Sequence, residues 1–162
     1  MADEEKNEGY EVKAGAGGNL SKSDIAVCVS IIGQGGAVDA NSAKTELPSA
    51  SVVVVAKRGK EIVGVGAVKR RRVHYAEARA KDSGVPLDPK TLELGYVAVD
   101  KKHRQKGLSH RIVAELLSQN EGTLFATTDC AHMKKTLAAA GFVRKGREWK
   151  GRRGQLSLWV KD

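Results

Sequence analysis

The residues best suited to chemistry stand in one run, Val97-Ala98-Val99-Asp100-Lys101-Lys102-His103-Arg104-Gln105-Lys106-Gly107-Leu108-Ser109. An apolar strand runs out into a basic loop, and a glycine stands directly before a helical pattern. Unpaired N–H groups at a helix start, together with the positive end of its dipole, attract anions. Gly107 lets a phosphate approach the backbone with no Cβ in the way. Arg104, Lys106, Lys101 and Lys102 add positive charge nearby. The run predicts a pyrophosphate cradle.

The elements that must position this loop can be read from periodicity. Met1 to about Leu20 passes from acidic residues into the Gly-rich Ala14–Gly18 with no hydrophobic period, so residues 1–20 are expected to be a flexible tail. Residues 21–162 are expected to be one folded domain. Ser21 and Asp24 have capping-box spacing, and Ile25, Cys28, Val29 and Ile32 share one helix face. Gly33 to Gly36 is expected to end that helix, and Asp39–Leu47 is predicted as a short second one before Pro48. Val52–Ala56 and Glu61–Val68 read as a hairpin around Arg58-Gly59. Gly64 and Gly66 form a GxG with no helix after it, which argues for a bulge or close backbone approach rather than a dinucleotide fingerprint.

Val73–Ser83 reads as a helix closed by Gly84 and Pro86, and Leu92–Val99 as a strand. Ser109–Leu117 is helical, with Ile112, Val113, Leu116 and Leu117 as its apolar stripe. Thr123–Thr128 is a strand, and Asp129 is expected to cap a helix from Cys130 to Ala140 that Gly141 ends. Gln155–Val160 is a last strand. The alternation predicts an α/β fold with a mixed sheet.

Bulk properties set outer bounds. The chain has 162 residues, enough for one self-sufficient core, and its 41% hydrophobic and 29% charged residues are those of a globular protein. The longest apolar run, Val52–Ala56, is far too short to span a bilayer, so no membrane partner is expected. The opening Ala2–Glu8 is acidic and polar, so no signal peptide is expected, and two cysteines form neither a disulfide framework nor a metal motif. His74, His103, His110 and His132 lack metal spacing as well. Location in the cytoplasm, with both thiols reduced and no bound metal, is the expectation. The net charge of +9 favours anionic partners and disfavours very basic acceptors.

Arg104-x-x-Gly107-x-Ser109 resembles the R/Q-x-x-G-x-G/A acetyl-CoA loop of the GNAT superfamily of N-acetyltransferases, with Ser in place of the last small residue. The strand Val97-Ala98-Val99 before it, the apolar helix after it and Leu137-Ala138-Ala139-Ala140-Gly141-Phe142 farther on follow the same order. The resemblance runs from about Ser21 to the C-terminus. It implies a GNAT-type, mostly antiparallel sheet flanked by helices. It further implies that the backbone of Val97, Ala98 and Val99 meets the pantetheine arm, with Val97 and Val99 pairing like an added strand. The amides of Gln105, Lys106, Gly107, Leu108 and Ser109 would then hold the pyrophosphate. His110, at the helix start, is placed to touch a phosphate.

Moving an acetyl group to nitrogen needs a neutral amine, whereas a lysine side chain is protonated up to a pKa of about 10.4. Glu93 matches the strand glutamate that serves as base in some members of the family. Strand alternation is expected to set Glu93, Gly95, Val97 and Val99 on one face. Two positions depart from the family: Leu137 stands where a tyrosine often protonates the leaving thiolate, and Cys130 where an asparagine often contacts the pantetheine. The acid is therefore Tyr96, Tyr75, Cys130 or water, or activity has been lost.

The implied reaction is direct attack of a primary amine on acetyl-CoA in a ternary complex. Two basic clusters, Lys69–Arg72 and Arg144–Arg153 with Trp149 inside the second, suit a phosphate backbone and an exposed base. They point to an RNA-borne or ribosome-associated amine as acceptor. The other class left open is a non-catalytic module that binds nucleic acid or a partner protein on its basic face. A homodimer is compatible with either.

Overall fold

The chain folds around one seven-stranded sheet of order β1-β2-β3-β4-β5-β7-β6. In this computed structural model, residues 9–35 and 40–162 are described. The strands are β1 (Tyr10–Gly15), β2 (Val52–Arg58), β3 (Glu61–Val68), β4 (Leu92–Val99), β5 (Leu124–Thr128), β6 (Val143–Lys150) and β7 (Gln155–Lys161). The helices are α1 (Lys22–Gln34), α2 (Ala40–Glu46), α3 (Val73–Ser83), α4 (Leu108–Ser118) and α5 (Ala131–Ala139). All strand neighbours are antiparallel except β4 and β5, which run parallel. The expected mixed, mostly antiparallel α/β sheet is the observed fold.

One sheet face buries Val54, Val63, Leu94 and Leu124 against Ile112, Val113 and Leu116 of α4 and Leu137 of α5. The opposite face packs Val53, Val55, Val65 and Tyr96 against Ile25, Cys28, Ile31 and Ile32 of α1. Farther along that face, Phe125, Leu158 and Val160 pack against Ala76 and Tyr75 of α3. The glycines of β3 have a packing reason: a Cβ on Gly66 would come within 2.5 Å of Ile112 Cγ2, and one on Gly64 within 3.0 Å of Ile112 Cδ1. Trp159 packs in the core and donates from Nε1 to Ser157 Oγ at 2.9 Å, and Trp149 packs against the cluster of Ala76, Phe125, Leu158 and Val160.

Several expectations need correction. Tyr10–Gly15, taken as part of a flexible tail, is edge strand β1, paired with β2 from Tyr10↔Arg58 to Gly15↔Val53. Tyr10 is buried against the α4-side core, and Val12 and Ala14 follow it at period two. The first eight residues lie outside the described ones. So does Asp39, the expected start of the second helix, which is described from Ala40. Helix α1 runs through Gly33 and is capped at Gly35, while Ser21 Oγ accepts from the Asp24 amide as the capping spacing required. Val143–Lys150, read only as a basic cluster, is strand β6. The cap of α5 is Cys130 rather than Asp129, whose carboxylate is bound by Arg153.

The largest correction concerns β4. Val65 pairs with Ala98 and Ala67 with Gly95, so Tyr96 and Val97 together oppose Gly66. This is a β-bulge, and Tyr96 adopts φ +56° within it. The extra residue resets the alternation. Leu94, Val97 and Val99 face α4, while Tyr96 and Ala98 face α1. Glu93 therefore does not share a face with Val97 and Val99; the bulge gives it Tyr96 as neighbour instead.

Candidate functional site

Strands β4 and β5 are paired at only two positions, Leu92↔Leu124 and Glu93↔Phe125. Beyond these, β5 stays paired with β7 as far as Thr128, and β4 with β3 as far as Val99. The sheet thus opens as a wedge between the C-terminal halves of two parallel strands. Asp100 N donates to Val63 O at 2.8 Å, and Val99 lies opposite Gly64. In an antiparallel ladder this turns the N–H and C=O of Val99, and by alternation those of Val97, toward the open edge. Ala98, opposite Val65, points its backbone groups at β3 instead. The carbonyl of Val99 accepts from Arg104 Nε at 3.1 Å, so the loop arginine reaches back to the wedge mouth.

The loop after β4 is held from both ends. Asp100 accepts from the Lys102 amide at 2.9 Å and from Gln34 of α1 at 3.4 Å, while Gln34 Oε1 accepts from the Lys101 amide at 3.0 Å. The Lys102 amide is the largest cause that holds the Asp100 carboxyl below the ordinary range. Gln105 and Gly107 both take left-handed conformations, φ +64° and +73°. Such alternation turns successive amides to one side as an anion-binding concavity. Gly107 caps α4, and the first helical bond is donated by Arg111. Among the described residues, the amides of Lys106 to His110 find no carbonyl partner. Lys106, Gly107 and His110 are exposed around these amides, and the Leu108 side chain is buried in the core.

The other wall of the wedge is the start of α5. Cys130 is exposed there at the N-cap, and its amide donates to Thr128 Oγ1 at 3.0 Å. His132 is 3.2 Å from Ser109 Oγ and makes an edge contact with His110, tying the two helix starts together. Leu137 is fully buried, so the departure read from the sequence leaves no proton donor at that position. Arg153, in the β6–β7 turn, grips Asp129 with Nε at 3.2 Å and Nη2 at 2.8 Å, and its Nη1 donates to the Gly35 carbonyl at the end of α1. One guanidinium so joins α1, the β5–α5 junction and the β6–β7 turn across the wedge.

Glu93 is buried on the α1/α3 side of the sheet, at the point where β4 and β5 part. Lys69 Nζ stands 3.0 Å from its buried Oε1. Arg72 Nη1 follows at 3.8 Å. Lys69 also lies over the Tyr96 ring, 4.2 Å from its centroid. Burial disfavours the Lys69 ammonium, but Glu93, with Tyr96 and Tyr75, outweighs that and raises its pKa above the ordinary value. Tyr96 itself is held through its hydroxyl, 3.2 Å from Ser42 Oγ of α2. Periodicity gave no sign of the Lys69–Glu93 pair, since only the β3–β4 register brings the two together.

The basic clusters are largely engaged. Arg70 pairs with Glu46, Arg72 covers Tyr75, Arg144 pairs with Glu148, and Arg147 caps the last carbonyls of α3. Arg71, Lys145, Lys150 and Arg152 remain at the surface with no ion pair among the described residues. No group of His, Cys, Asp and Glu among those residues could hold a metal, and no helix is long and apolar enough to cross a membrane.

Comparison with known proteins agrees with this geometry. An acyl-CoA N-acyltransferase from Pseudomonas aeruginosa superposes with a TM-score of 0.69 at 10% identity, covering 94% of this chain and 99% of that one. A protein from Salmonella typhimurium solved with its cofactor acetyl-CoA gives 0.67 at 15% identity, with 94% of each chain covered. A ribosomal-protein-alanine N-acetyltransferase from Brucella melitensis gives 0.68 at 18% identity over 93% and 98%. At such identities the likeness is one of fold. No curated protein matches in sequence. The sequence pattern of the acetyltransferase (GNAT) family matches residues 34–146, more than half of the chain. On that match, carried by a sheet that opens between β4 and β5, this protein belongs to the acetyltransferase (GNAT) family.

Proposed function

We propose that the protein is an acetyl-CoA-dependent N-acetyltransferase whose cofactor enters the wedge between β4 and β5. The observation that carries this reading is the meeting of that wedge with the unpaired amides at the start of α4. The loop amides and Gly107 fit a pyrophosphate, and the open backbone edge at Val97 and Val99 fits an extended amide-bearing arm. Cys130 and His110 flank the two ends of that path. The thioester of acetyl-CoA supplies the activated acetyl group. Glu93 takes the proton the amine loses on attack, and the Tyr96 hydroxyl, on the same face, is the group proposed to protonate the departing thiolate.

Calorimetric titration of acetyl-CoA into the wild type tests the cofactor site. Binding in the micromolar range that Gly107→Glu abolishes is expected, because the new side chain needs φ +73° and carries a negative charge into the anion cradle. A folded wild type that binds no acetyl-CoA would end the transferase reading.

A second reading keeps the fold without the chemistry. The Glu93 carboxylate is already engaged by Lys69 and Arg72, and Leu137 offers no acid, which favours a binding module. CoA release with a panel of primary amines separates the two. The acceptor proposed is an RNA-borne or ribosome-associated amine, supported by the exposed Arg71, Lys145, Lys150 and Arg152. Charge reversal at these four should remove activity on such an acceptor and spare a small amine; an equal loss on both would end that assignment.

A further inference from the structure

We infer, on the transferase reading above, that Lys69 determines acceptor specificity: its ammonium fills the cation place beside Glu93, so the site takes amines that arrive neutral. A base must lie within hydrogen-bond reach of the nitrogen it deprotonates, so the acceptor nitrogen has to come close to Glu93. That place is already organised as a cation site. It offers a buried carboxylate at 3.0 Å and the face of Tyr96 at 4.2 Å, and Lys69 occupies both. Gly95 is what lets the side chain lie across β4, since a Cβ there would come within 2.8 Å of Lys69 Cε.

The groups around Glu93 reinforce the exclusion. From the residue before α3, Arg72 stands 3.8 Å from the same carboxylate oxygen, and on α3 Arg79 lies over Tyr75 at 4.6 Å. From α2, Glu46 is spent on Arg70, and Ser42 on the Tyr96 hydroxyl. From β5 the neighbour is the apolar Phe125. An alkylammonium ion brought to Glu93 would face two cations already paired with one carboxylate. Like charges at such range repel strongly away from water. Lys69 does not give way by losing its proton, because its pKa is raised rather than lowered. A neutral amine meets none of this repulsion as it approaches the carboxylate, whose Oε1 lies buried beside Lys69 and Arg72.

The substrate class that follows is the weakly basic primary amine. An α-amine, with a pKa of about 8, is roughly half neutral at pH 8, whereas an alkylamine near 10.4 is less than about 1% neutral. The reaction balances without a further reagent. The amine nitrogen forms the new C–N bond, the C–S bond breaks, the nitrogen's proton passes to Glu93 and the thiolate leaves to be protonated.

Glycinamide and n-butylamine test the idea with acetyl-CoA saturating. At pH 8 the wild type should prefer glycinamide in kcat/KM on total amine by about a hundredfold, the ratio of neutral fractions. Its kcat/KM for n-butylamine should rise about tenfold per pH unit from 7 to 9. Lys69→Met should cut the preference at least fivefold and flatten the n-butylamine profile, while Lys69→Arg should keep both. Equal use of the two amines by the wild type at pH 8 overturns the inference, and needs no variant. A Met variant that binds acetyl-CoA but loses both amines in equal proportion makes Lys69 merely structural and overturns it too. If neither amine reacts although acetyl-CoA binds, the transferase reading falls and takes this inference with it.

Discussion

Glu93 and the two cysteines show how much one residue's surroundings decide. As the proposed base, Glu93 should respond to isosteric loss of charge. Glu93→Gln is expected to lower kcat by about 10²–10⁴-fold, the usual worth of general base catalysis, with little change in the acetyl-CoA Kd from calorimetry. Unchanged turnover would leave the carboxylate as an ion-pair partner of Lys69 alone. The cysteines separate by exposure. Burial first, and Asp24 second, push the Cys28 thiol up to about 11, whereas Cys130 is exposed at the start of α5. Iodoacetamide at pH 8 should therefore label Cys130 and leave Cys28 intact in mass-mapped peptides. Acetyl-CoA should slow the labelling of Cys130 if that residue lines the cofactor path, and an unaffected rate would place the cofactor elsewhere. Both readings of the thiols as reduced and unpaired came from their number; which one is reactive came from packing.

At the scale of elements, the site depends on how closely α4 approaches β3. Gly66 permits it, because a Cβ there would meet Ile112 Cγ2 at 2.5 Å and Leu116 Cδ1 at 3.0 Å. Gly66→Ala should cost about 1–3 kcal/mol by overpacking, read as a lower midpoint in urea unfolding. It should also weaken acetyl-CoA binding, since the N-terminus of α4 carries the proposed phosphate amides. A variant with wild-type stability would show that the helix can shift without cost. The elements that escaped the sequence reading, β1 and β6, are the two edge strands. Edge strands face solvent along much of their length, and β6 shows mostly exposed polar residues, so its alternation carries little apolar signal. In β1 the inward set is only Tyr10, Val12 and Ala14, too short to stand out from a Gly-rich surround. Helix α3 was legible from its closing Gly84, at φ +76°, and α4 from its apolar stripe after Gly107, at φ +73°.

For the whole molecule, the wedge is braced by ionised carboxylates at both of its edges. Arg153 is the first cause of the lowered Asp129 pKa, and the Lys102 amide of the lowered Asp100 pKa. A carboxyl depressed in the folded state contributes stability above its unfolded value, near 3.8 here, and loses that contribution as pH falls through the folded value. The thermal midpoint should therefore drop as pH falls below about 4, and Arg153→Ala should shrink that drop. A pH dependence identical in the variant would remove Asp129 from the account. What the sequence determined by itself was whatever short-range chemistry controls: the basic loop before a helix, the capping glycines, the apolar stripes and so the α/β fold with its GNAT-like order. What only the tertiary structure decided was every pairing distant in sequence. The bulge at Tyr96 moved Glu93 off the face of Val97 and Val99, because one extra residue reverses a period of two. The β3–β4 register then set Lys69 against Glu93, and the β6–β7 turn brought Arg153 to Asp129. Such contacts follow from strand register and packing, which no local spacing encodes.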